Sequence, residues 1–143
     1  MKLQKATLFA LFAVLELARD PSRQLSAAEI AETYGISVNH LAKVLRDLGR
    51  AGWVEAARGA GGGYRFVANP KRLSLYDVVN LFGDIAGNAG EIEGPAGNTD
   101  IGRALTSVLA EIDEIAIATF KAISLATLLK SLDRGRDTKV AAE

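Results

Sequence analysis

The sequence predicts a mainly α fold with a small β-hairpin wing: a winged helix-turn-helix domain plus a long C-terminal dimerisation helix. Three observations predict it. Two capped helical segments flank Gly35 between Ser26 and Arg50. Two strand-like runs flank the glycine-rich tip Gly59-Ala60-Gly61-Gly62-Gly63. Apolar positions from Ile101 to Thr119 recur at spacings of 4, 3, 4, 3 and 4. On these grounds the chain divides into a winged helix-turn-helix domain over 1–82, a loop over 83–99, dimerisation helices over 100–132 and a flexible tail over 133–143.

The first helix is expected from Lys5 to Arg19, where Leu8, Phe9, Leu11, Phe12, Leu15 and Leu17 make most of the circumference apolar. Asp20-Pro21 ends it, because the residue before proline is pushed out of the helical region. Lys2 and Lys5 ahead of the run Ala6 to Leu15 resemble the start of a signal peptide. Glu16 interrupts that run, and Arg19-Asp20-Pro21 follows without a small-x-small cleavage pattern, so a buried helix and a cytoplasmic protein are expected instead.

Ser26-Ala27-Ala28-Glu29 is a capping-box pattern that opens a helix through Tyr34. Gly35 suits the positive φ just past a helix end. Ser37 then caps a helix to about Arg50, with Leu41, Val44, Leu45 and Leu48 as its inward stripe. Two helices joined by a short glycine-containing turn make the helix-turn-helix pattern. Trp53–Ala57 and Tyr64–Val67 have strand composition, and the glycine tip joins them as a hairpin. Ser74 opens a short helix through Phe82, Thr99 or Asp100 opens the long one, and Ser124 caps a last helix over Leu125–Leu132. Beside the heptad-like seam Ile101, Leu105, Val108, Ile112, Ile115 and Thr119 runs a second stripe, Leu109, Ala116, Phe120 and Ile123. One stripe can pack on its own domain while the other meets a second copy.

Net charge is zero over 143 residues, but it is unevenly placed. Residues 36–72 hold seven basic and two acidic side chains, a net of +5, while residues 73–143 hold six and eleven, a net of −5. A basic module joined to an acidic one is the electrostatic footprint of a nucleic-acid binder. The chain has no cysteine and one histidine, His40. That excludes disulfides, zinc–thiolate sites and cysteine-held iron–sulfur clusters, and no cofactor or metal is expected.

The exposed face of the second helix offers Asn39, His40, Lys43, Arg46 and Arg50. Residues near the N-terminus of such a helix reach base edges; asparagine suits adenine, and lysine suits guanine or a phosphate. Arg46 and Arg50 lie further along and suit backbone phosphates. At the tip, Gly61 and Gly62 form a slim backbone bracketed by Arg58 and Arg65, able to carry an arginine into or across the minor groove. A phosphate-cradling loop is excluded, since no Gly-Lys-Ser/Thr is present and a strand follows the glycines. His40 has no acidic or nucleophilic partner nearby in this arrangement, so no enzyme is expected. Glu91, Glu93 and Asp100 read as a solvated acidic loop rather than a cation site.

These motifs carry a resemblance. Ile36-Ser37-Val38-Asn39-His40-Leu41-Ala42-Lys43-Val44-Leu45, the run Arg58-Gly59-Ala60-Gly61-Gly62-Gly63-Tyr64, and Leu75-Tyr76-Asp77-Val78-Val79 closely resemble the bacterial IscR/NsrR-type winged-helix regulators, the Rrf-two family. The resemblance spans nearly the whole chain. It implies a cytoplasmic homodimer on a palindromic operator in double-stranded DNA, usually a repressor, with the long helix crossing onto its partner. By position, Ser37, Asn39, His40 and Lys43 match the family's recognition-helix contacts, and Arg58 matches its wing arginine. Ala60 stands where the family usually has proline. Cluster-binding members carry three cysteines within what is here Gly83 to Asp100, and this chain has none. Its signal is then a small molecule, a protein partner or nothing, with the loop and the surroundings of Trp53, Tyr76 and Phe82 as the expected places for a pocket. The rival reading is a winged-helix protein-interaction module without sequence-specific DNA binding.

Overall fold

A computed structural model describes residues 3–58, 62–83 and 91–142. The chain runs α1 (Lys5–Ala18), α2 (Ala27–Tyr34), α3 (Val38–Arg50), β1 (Val54–Ala57), β2 (Gly63–Phe66), α4 (Leu75–Phe82), a 3-10 turn (Pro95–Asn98), α5 (Asp100–Ala122) and α6 (Leu125–Ala142). The expected winged helix-turn-helix with a long C-terminal helix is therefore the observed architecture. Among the described residues no helix is long and apolar enough to cross a membrane.

Local chemistry sets most boundaries. The Ser26 hydroxyl accepts from the Glu29 N–H at 3.1 Å and opens α2. Gly35 ends α2 in the left-handed region, at φ 64°, and so turns the chain into α3. Ser37 caps α3 from the His40 N–H. A reciprocal capping box closes at α4: Ser74 accepts from the Asp77 N–H at 3.1 Å, and Asp77 accepts from the Ser74 N–H at 2.9 Å. Thr99, one of the two expected caps, opens α5 by accepting from Gly102.

The core lies where α1 crosses α3. Ala10, Ala13, Val14 and Leu17 of α1 meet Leu41, Val44, Leu45 and Leu48 of α3, with Ile30, Val54, Phe66 and Val78 closing the sides. The apolar girdle of α1 is covered on only part of its circumference, since Leu8 and Phe12 stay exposed. Glu16, which breaks the apolar run in sequence, faces α2. It accepts from the Tyr34 hydroxyl, from Arg23 at 2.9 Å and from Arg19 at 3.4 Å. Phe12 stacks on the Tyr34 ring, 4.8 Å between centroids. These contacts tie the end of α2 to α1 and fix where the turn into α3 begins.

The hairpin is antiparallel, with Val54 opposite Phe66, Glu55 opposite Arg65 and Ala56 opposite Tyr64. The first strand starts one residue later than expected, because the Trp53 N–H still bonds the Leu48 carbonyl at the exit from α3, and the second lies one residue earlier, at Gly63–Phe66. Tyr64 also exchanges two backbone bonds with Leu25, at 2.7 and 3.0 Å, so the wing is anchored to the segment before α2. This approach explains Gly63. A Cβ there would lie 2.5 Å from the Leu25 carbonyl oxygen. The third consecutive glycine of the tip serves that close pass rather than the turn.

The C-terminal half departs from expectation in three places. The stretch read as a loop over 83–99 contains the 3-10 turn, packed so closely on α5 that a Cβ at Gly102 would meet the Ala96 carbonyl at 2.0 Å; residues 84–90 of that stretch lie outside the described residues. The start of α6 belongs to the first core: Leu125 is 0 % exposed, and its N–H bonds the Leu73 carbonyl at 2.8 Å. A division at residue 82 therefore separates residues that pack together. The last helix also passes Leu132, where it was expected to end ahead of a flexible tail, and continues to Ala142. No proline stops it, and Gly135 is the one poor helix former among Asp133 to Ala142 that costs much.

Two outcomes follow from this packing. Gly63→Ala should destabilise the fold by about 1–3 kcal/mol, as for other overpacked sites, read as a lower urea midpoint. The Tyr34 hydroxyl is held up at about 12, by burial first and then by the hydrogen bond and charge of Glu16. A neutral form favoured by folding adds stability that is complete below pH 10, the ordinary tyrosine value, and is lost as pH rises from 10 toward 12. Tyr34→Phe should remove that portion of the alkaline loss in urea titrations across this window.

Candidate nucleic-acid interface

Burying Leu41, Val44, Leu45 and Leu48 leaves α3 only one face for solvent. Asn39, Lys43, Arg46 and Arg50 occupy it, all exposed. At about 100° per residue these four fall within roughly 60° of one another, so they form a single ridge along the helix. Ser37 stands exposed at its N-terminal end. Its hydroxyl oxygen caps the helix, and its proton remains able to donate to a phosphate.

The expected contact residues are not equivalent. His40 is half-buried, and its ring meets Phe9 edge-to-face at 4.8 Å. It packs α3 against α1 and stands off the ridge. Arg50 lies 3.7 Å from Asp47, a loose and exposed pair that costs little to part. Arg65 pairs with Glu55 across the hairpin at 2.9 Å, because register sets them directly opposite. That pairing halves the basic charge the wing offers. Among the described residues, Lys43, Arg46 and Arg58 have no acidic partner. Gly62 is exposed at the wing, whereas Gly61 lies outside the described residues.

The long helix α5 spans 23 residues, roughly 34 Å at 1.5 Å per residue. Leu109, Ala116 and Phe120 are half-buried on its inner side, and Ile123, just past its end, is half-buried too. The seam is not covered by its own chain: Ile101 is 75 % and Ile115 67 % exposed, with Leu105, Val108, Ile112 and Thr119 also exposed.

Of the places named for a pocket, Trp53 lines an open groove of about 430 Å³ with Ala68, Asn69, Arg72, Leu73 and Asp77. Tyr76 does not line it; Lys121 lies 4.7 Å over the Tyr76 ring, and Phe82 packs on the core.

A family model described as "Rrf2: Iron-dependent Transcriptional regulator" matches residues 3–131. The chain belongs to the Rrf2 family. It is 51% identical over 136 residues to BadM of Rhodopseudomonas palustris, named as an HTH-type transcriptional regulator, covering 95% of this chain and 86% of that one. It is 44% identical over 80 residues to the HTH-type transcriptional regulator NsrR of Bacillus subtilis, about half of each chain at 55%. Among solved structures, T. potens IscR superposes with a TM-score of 0.74 at 22% identity over 94% of this chain and 90% of that one. CymR of B. subtilis gives 0.73 at 23% identity over 92% and 98%. These structures share the fold at 22–23% identity, and the family match with its named relatives makes the chain a DNA-binding transcription regulator.

The iron in the family description finds no donor set here. A cluster site needs thiolates. The sequence has none, its one histidine packs on Phe9, and no group of three metal-binding side chains exists among the described residues. The residues present do not fit an iron–sulfur cluster.

The charge pairing on the wing is open to test. Glu55→Gln should release Arg65, tighten binding to any duplex and steepen the log–log salt slope by up to about one unit. Fluorescence anisotropy on one duplex across a salt series reads both.

Proposed function

We propose that this chain is a homodimeric repressor that binds a palindromic operator. In this reading α3 lies in the major groove, Asn39 and Lys43 read base edges, and Ser37, Arg46 and Arg50 hold phosphates, with His40 supporting the helix from behind. Arg58 enters the minor groove beside Gly61 and Gly62, and Arg65 acts at the backbone once freed from Glu55. The observation that carries the reading is the ridge Asn39, Lys43, Arg46 and Arg50, exposed along one line opposite the buried stripe Leu41, Val44, Leu45 and Leu48. The uncovered seam of α5 supports the second copy. The family likeness supports repression, a cytoplasmic protein and the absence of catalysis. The missing cysteines favour a small molecule or a protein partner as effector, if there is one.

Selection of bound fragments from the source genome tests this. It should return a palindromic site whose removal raises transcription of the adjacent genes. Equal binding to every duplex would defeat specificity and favour the protein-interaction reading.

On the selected site, Arg46→Ala should weaken all sequences alike, while Asn39→Ala should relax preference at one base position by about 1–3 kcal/mol. Ile112→Asp with Ile115→Asp should convert a dimer mass to a monomer mass by light scattering, with far-ultraviolet circular dichroism unchanged.

A further inference from the structure

The ridge on α3 has two unlike flanks. On one side stand the polar His40 and Asp47. On the other, roughly 60–100° round from Asn39 at about 100° per residue, stand Val38, Ala42 and Gly49, which carry no polar side-chain atom. Val38 is 47 % exposed, the one large apolar side chain of α3 left so among the described residues. It belongs neither to the core cluster nor to the apolar groups packed against it. A β-branched residue is also a poorer helix former than alanine. Neither the helix nor the core accounts for valine at this position.

Its place accounts for it. Val38 is the first residue of α3, directly after the Ser37 cap and beside Asn39. That is the end of a recognition helix that comes closest to base edges. In the major groove the one apolar group a natural base pair presents is the thymine C5-methyl. Asparagine suits adenine, whose partner across the pair is thymine. Ala42, one turn on, is half-buried and carries only a methyl on the same flank. We propose that Val38 is a specificity-determining residue of this interface: with Ala42 it forms an apolar notch that reads a thymine methyl next to the base contacted by Asn39. The inference rests on α3 being the DNA-reading helix, as set out under the proposed function.

The test replaces thymines one at a time by deoxyuridine in the selected operator, which removes the methyl and leaves base pairing intact. Wild-type protein should lose about fourfold in affinity per half-site at one thymine position, the fold-change of one methyl returned to water. Val38→Ala should bind the unmodified operator more weakly and be indifferent to deoxyuridine at that position. Val38→Ile, which keeps the branched surface, should retain the sensitivity. Because Val38 is exposed, the variants should keep the wild-type urea midpoint. Wild-type protein that binds its operator specifically but ignores deoxyuridine at every thymine would overturn the inference and leave the DNA-binding reading intact. So would Val38→Ala retaining full sensitivity. Failure to select any site would remove both.

Discussion

Everything in this molecule depends on the burial of the α3 stripe against α1. Leu41, Val44, Leu45 and Leu48 are all within 2 % of complete burial. Each is worth about 1.5–3 kcal/mol relative to exposure, a large share of the stability of a domain this size. That burial also fixes the rotation of α3 about its axis. Once the stripe is seated, Asn39, Lys43, Arg46 and Arg50 have no direction but outward. Stability and the proposed DNA reading are thus two faces of one helix, and neither can be rotated without the other.

The second requirement is that α3 begin at the right place. Gly35 supplies the left-handed turn, and Glu16 holds Tyr34 just before it. Burial alone would raise the Glu16 carboxyl, but hydrogen bonds from Tyr34 and Arg23 and the charges of Arg19 and Arg23 outweigh it and hold it below the ordinary glutamate value. An ionised carboxylate with three donors is a rigid post at neutral pH. The wing is fixed in a similar way, by backbone bonds between Tyr64 and Leu25 that pin it beside the entry to α2. Helix α3 and the wing are therefore tied to the same short segment, residues 16–35.

What the sequence disclosed was local. Caps at Ser26, Ser37 and Ser74, the stripe on α3 and the seam on α5 depend on residues a few positions apart, where helical geometry makes spacing meaningful. What it concealed was set by distant contacts. Glu16 meets Tyr34 from 18 residues away, Gly63 is required by the backbone of Leu25, and Leu125 joins a core built before residue 80. At the site the same division holds. The ridge was legible from periodicity, Arg58 from its place beside the glycine tip, and the resemblance added Ser37 as a contact. The neutralisation of Arg65 needed the hairpin register, and the turning of His40 onto Phe9 needed the crossing of α1 with α3. Val38 passed unmarked because an apolar residue at a helix start looks like core until its exposure is known.

The central claim is that one face of α3, presented twice by a dimer, reads the major groove. Guanine-N7 methylation protection combined with hydroxyl-radical cleavage on the selected operator measures this directly. The account predicts two major-groove patches on one side of the duplex, separated by a whole number of helical turns of about 10–10.5 base pairs, with backbone protection where the wings enter the adjoining minor grooves. A single patch, or backbone protection without any at guanine N7 in a site containing guanines, would contradict it.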